Sequence, residues 1–118
     1  MKLRCKNLLS PRGESVSSSR WLKIGNEYTA LSMSVDSSGN VSIRIMAEEG
    51  PGPAVFSLQQ FEIVDGSLPA NWVMSISPKG GFTLGPEAWS KAGFWERFFD
   101  GDSDAGIAFE SEMRKILK

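Results

Sequence analysis

The last third of the chain collects the side chains best suited to chemistry or recognition. Six acids, Glu96, Asp100, Asp102, Asp104, Glu110 and Glu112, lie among Trp89, Phe94, Trp95, Phe98, Phe99 and Phe109. Carboxylates at this density could hold a cation, act as a general acid and base, or steer a basic partner. The cation reading rests on Asp100-Gly101-Asp102-Ser103-Asp104-Ala105-Gly106-Ile107, where aspartates alternate as in a helix–loop–helix calcium site. The pattern then breaks. Ala105 stands where that loop needs glycine, and Ser111 where it needs a bidentate glutamate. The simpler expectation is two helix ends meeting, with aspartates capping the second helix and favouring its positive N-terminal end. No metal site is expected.

Catalytic chemistry is narrowly bounded. The chain has no histidine, which removes the commonest general base, the Ser-His-Asp and Cys-His arrangements and every His-ligated metal site. Cys5 is the only cysteine, so neither an intrachain disulfide nor a zinc or iron–sulfur centre can form. It sits in an apparent strand and is expected to be a small core residue. Gly80-Gly81 opens no P-loop, and no dinucleotide-binding glycine pattern follows a strand. Paired acids could still hydrolyse sugars, but that chemistry needs a cleft that so small a domain rarely supplies. No enzyme activity and no cofactor are expected.

The elements that must position these residues follow from length and patterning. A chain of 118 residues favours one domain, with a core large enough to need no staples. Hydrophobic residues are 41% and charged residues 23%, as in ordinary globular chains. The formal net charge of -1 argues against a dedicated nucleic-acid binder, which would carry a basic patch. No run approaches the ~20 apolar residues of a membrane span. Met1 to Lys6 carries positive charge without the apolar stretch of an export signal, so the cytoplasm is the default address.

Leu3 and Cys5 alternate with Lys2, Arg4 and Lys6, the mark of a half-buried strand. Leu8 to Ser19 is rich in turn formers and predicts a long mobile loop. From Glu27 to Val35 the alternation slips by one near Ala30, which a bulge would reconcile. Asp36-Ser37-Ser38-Gly39-Asn40 signals a hairpin turn. Val41, Ile43 and Ile45 then face one way, Ser42 and Arg44 the other. Ala54–Leu58 and Phe61–Val64 complete five short strands. The fold expected is α+β: a five-stranded Src-homology-3-like barrel over 1–65, then a β-hairpin and C-terminal helices over 66–118, all in one domain.

In the second part, Trp72–Ser77 and Phe82–Leu84 pair across Pro78–Gly81. Gly85 to Trp89 predicts a first helical turn entered at Pro86. Phe94 to Phe99 places aromatics four apart twice, burying both pairs on one helical face. Gly101 suits a helix C-terminus, and a final helix follows with Ala105, Phe109, Met113 and Ile116 inward and Glu110 paired with Arg114 outside.

Three stretches resemble small bacterial immunity proteins, the family encoded beside polymorphic or contact-dependent growth-inhibition toxins. They are Leu22-Lys23-Ile24-Gly25-Asn26-Glu27-Tyr28; Phe61 to Asp65 with Leu68-Pro69-Ala70-Asn71-Trp72-Val73; and Gly85 to Trp89 with Gly93 to Asp100. The resemblance implies a cytoplasmic protein that binds a cognate toxin domain and blocks its active site. It carries over no binding residue. From the residues themselves, four tryptophans are many for one small core, and tryptophan is enriched at interface hot spots. The expected partner-binding set is therefore Trp89, Trp95, Glu96, Asp100, Asp102, Asp104, Glu110 and Glu112, facing a protein toxin such as a basic nuclease. The rival expectation is an adaptor that takes a peptide in a groove between the long loop and Tyr28, with Trp21 at its edge.

Overall fold

The computed structural model describes residues 1–50 and 52–117. Eight strands precede two helices: β1 Lys2–Cys5, β2 Glu27–Thr29, β3 Ser32–Val35, β4 Val41–Met46, β5 Pro53–Ser57, β6 Phe61–Asp65, β7 Trp72–Ile76, β8 Phe82–Pro86, α1 Phe94–Phe99 and α2 Ser103–Ile116. Short 3-10 turns occupy Leu58–Gln60 and Glu87–Ser90. The class is α+β, as the patterning predicts.

The barrel is not formed. The strands make two open antiparallel sheets, one ordered β2-β1-β6 and the other β5-β4-β3-β8-β7. The cause lies at the slip in alternation. Where a bulge is expected at Ala30, the chain instead leaves one sheet and enters the other. Ala30 N–H donates to Met1 O at 3.0 Å and Leu31 N–H donates to Arg44 O at 2.8 Å, so neighbouring residues bond to different sheets. Both are buried. The expected strand from Glu27 to Val35 is thus two strands, and the phase change between them is the corner.

Nor does the C-terminal hairpin stand apart from the first 65 residues. β8 pairs with β3 through Met33–Leu84, Ser34–Thr83 and Val35–Phe82, extending the larger sheet. Gly85 and Pro86, expected at a helix start, end β8 instead; Pro86 lies past the last β3–β8 pair, Met33–Leu84, so β8 is an edge there, matched only to Trp72 of β7. The 3-10 turn that follows leads into α1.

Alternation splits the larger sheet into unlike faces. Ile43 and Ile45 are fully buried and join Leu3, Cys5, Leu31 and Phe61 in the shared core. The opposite face carries Ser32, Ser34, Ser42, Arg44, Ser75 and Thr83, neighbours by strand register. In the smaller sheet, Arg4 clamps all three strands, reaching Glu27 on β2 at 2.9 Å and Glu62 on β6 at 3.0 Å. The stretch expected as a mobile loop has order of its own: Leu8 is buried, Leu9 bridges Ser15, and Leu9 N–H donates to the side chain of buried Gln60 at 3.0 Å.

Candidate functional site

The helical pair is built on aromatic packing. Trp89 stacks on Phe109 with ring centres 5.0 Å apart, and Phe98 meets Phe109 at 4.7 Å. Phe94 lies over Phe98 and Trp95 near Phe99, the four-residue pairs the sequence predicts. Gly101, with φ of 87°, ends α1 in the left-handed region that glycine adopts without strain. Asp102 then accepts a hydrogen bond from Ala105 N–H at 2.9 Å and caps α2. Among the described residues, the aspartates do not gather with other ligand types into a metal-sized group.

This packing separates the expected partner-binding residues. Trp89 is only 4% exposed and belongs to the core, so the expectation that it contacts a partner is corrected: its indole is spent stacking on Phe109. Trp95 is half-buried beneath the larger sheet's polar face. Glu112 is half-buried too, pairing with Lys115 at 3.2 Å, while its carbonyl accepts from Asn71 at 3.1 Å. The expected Glu110–Arg114 pair is absent among the described residues; Glu112–Lys115 is the ion pair that forms on α2. Glu96, Asp100, Asp102, Asp104 and Glu110 remain at the surface, and none of them forms an ion pair among the described residues.

Two apolar side chains stand among those acids. Phe99 is 50% exposed and Ile107 68% exposed. Ile107 shares its helix face with Asp104 and Glu110, three residues to either side, and Phe99 lies one turn beyond Glu96. The aromatic pattern put Phe99 inside, and the amphipathic reading of α2 said nothing of Ile107.

A second concave surface lies at the long loop. A groove of about 920 Å³ runs between that loop and the β4–β5 pair, with Leu9, Pro11, Val16, Trp21, Val55 and Phe56 among its walls. Trp21 stands at it, as the sequence suggests. Tyr28 does not: it is buried, with its hydroxyl accepting from Lys23 N–H at 3.0 Å.

A third lies under α1. A cavity of about 430 Å³ opens between the serine-lined face of the larger sheet and the segment from Trp89 to Glu96. Arg44 projects into it, its guanidinium carbon 3.8 Å from the centre of the Trp95 ring. Burial lowers the Arg44 pKa to about 10. No carboxylate pairs with it among the described residues. Sequence reasoning passed over Arg44 because it fits the polar side of a strand; the signal was a lone strand cation amid Ser32, Ser34 and Ser42. Burial also raises the Cys5 thiol pKa, as befits a core cysteine.

Comparison with protein-family models, curated proteins and solved structures gave no match to this chain. Among the described residues, no helix is long and apolar enough to cross a membrane.

Proposed function

We propose that this chain is a non-catalytic inhibitor of the immunity type, which neutralises a cognate bacterial toxin domain by covering its active site. The observation that carries the reading is the outer surface of α1 and α2, where Phe99 and Ile107 stand exposed near five acids that form no ion pair among the described residues. Exposed apolar side chains set among charged ones are the usual make-up of a specific interface. From Phe94 to Leu117 the six acids face only Arg97, Arg114 and Lys115, so the surface field favours a basic partner. The missing histidine and the resemblance to immunity proteins support the same reading.

The test is co-expression with the toxin domain encoded immediately upstream. Growth arrest rescued by this protein, with co-purification of the pair, is the expected result. Toxicity without rescue or complex overturns it. In the isolated pair, Phe99→Ala is expected to cost about 2 kcal/mol, roughly thirtyfold in Kd. Asp100→Lys with Asp104→Lys and Glu110→Lys is expected to slow association mainly, and to flatten its dependence on salt.

A second reading is favoured by the loop groove: an adaptor that binds an extended peptide between the loop and β5, anchored on Trp21. Its mark is loss of peptide binding in Trp21→Ala with toxin neutralisation intact.

A further inference from the structure

We infer that the cavity under α1 is a binding site for a single carboxylate group, received by the guanidinium of Arg44. Buried cations are ordinarily matched by a carboxylate or a hydrogen-bond network, because removing a charge from water is costly. Half-buried Arg44 has neither: among the described residues its side chain makes no ion pair and no hydrogen bond, and its guanidinium lies over the Trp95 ring. The cation–π contact holds the guanidinium plane in place while leaving its N–H donors free. A planar fork of donors held in one orientation matches a carboxylate bidentately.

The rest of the cavity fits that ligand. Ser34 and Thr83 lie on its wall with hydroxyl oxygens 3.3 Å apart, and Ser32 and Ser75 add further hydroxyls. Hydroxyls can donate to the carboxylate lone pairs that Arg44 does not reach. Gly85 keeps the wall low beside Ser32, since a Cβ there would lie 2.8 Å from the Ser32 Cβ. Charge also selects. Arg44 and Lys91 against Glu96 leave one net positive charge at the cavity, suited to a monoanion and less to a phosphate dianion. The cavity volume is that of a small-molecule site.

The carboxylate could belong to a free organic acid or to the C-terminus of a peptide, and the experiment separates the two. The indole N–H resonances of the four tryptophans are followed during titration of the intact protein with acetate, pyruvate, an N-acetylated tetra-alanine peptide, its C-terminal amide, and inorganic phosphate at matched ionic strength. Saturable shifts of Trp89 and Trp95 with a free acid or with the peptide acid, and none with the amide, are expected; which one saturates at lower concentration names the source. Arg44→Met is expected to weaken the response at least tenfold and Arg44→Lys to restore part of it. If Arg44→Met fails to fold, Thr83→Val with Ser75→Leu serves instead, blocking the cavity while leaving Arg44. No saturable shift with any carboxylate, shifts confined to Trp21, an equal response to the amide, or tighter binding of phosphate would each overturn the inference.

Discussion

Phe99 and Phe109 are the same residue type ten positions apart, and the structure gives them opposite work. Phe109 is 3% exposed and touches the rings of Trp89, Trp95 and Phe98. Removing its ring leaves a cavity that rigid aromatic neighbours cannot close, so Phe109→Ala is expected to cost about 3–5 kcal/mol in urea unfolding. Phe99 already meets solvent, so Phe99→Ala is expected to change stability by less than about 1 kcal/mol while weakening the complex with a partner. Similar unfolding midpoints for the two variants would refute this division. The four-residue spacing made the pairs Phe94–Phe98 and Trp95–Phe99 legible in the sequence. It could not say which member would reach the surface, because that depends on where α2 crosses α1. Arg44 shows the same limit: its strand face was legible, but the roof over it comes from Trp95, fifty-one residues later.

At the scale of elements, turns and helix ends were the most legible features, because their chemistry is local. The β3–β4 turn is an example. Asp36 accepts from Asn40 N–H at 3.0 Å, from Asn40 Nδ2 at 3.2 Å and from Ser38 N–H at 2.9 Å. The Asn40 hydrogen bonds, foremost among these, hold its carboxyl below the usual aspartate range. The sign follows by linkage. The unfolded chain binds the proton more readily, so the stability this turn contributes is full above the unfolded pKa of about 3.9 and is lost as pH falls through the lower folded value. Asp65, whose carboxyl accepts from Ser67 N–H and hydroxyl, is lowered in the same sense. Stability is expected to decline below about pH 4, with Asp36→Asn showing a shallower decline than the native chain. An unchanged acid slope in that variant would count against the turn. The corner at Ala30 was not legible in this way. A phase slip is common to a bulge and a sheet crossing, and only the remote partners Met1 and Arg44 distinguish them.

At the scale of the molecule, the open two-sheet arrangement has a consequence for folding. A closed barrel over 1–65 would be a unit able to stand alone. In the two-sheet arrangement β3 depends on β8, and Trp72, Trp89, Phe94 and Phe109 belong to the same core as Leu3 and Ile43. A fragment ending at Asp65 loses one partner of β3, uncovers the inward side chains of Met33 and Val35, and leaves Arg44 without Trp95. A domain of that length buries only about 60% of its unfolded surface even when complete, so it has little margin for such losses. The fragment 1–65 is therefore expected to show collapsed amide dispersion and no cooperative urea transition, whereas the whole chain unfolds in one step. Mixing 1–65 with 66–118 is expected to restore dispersion, because the β3–β8 ladder and the shared core can form between separate chains. A cooperative transition in 1–65 alone would show the first half to be self-sufficient. It would also mean that α1 and α2 are an appendage to the fold, which the pairing of β3 with β8 argues against.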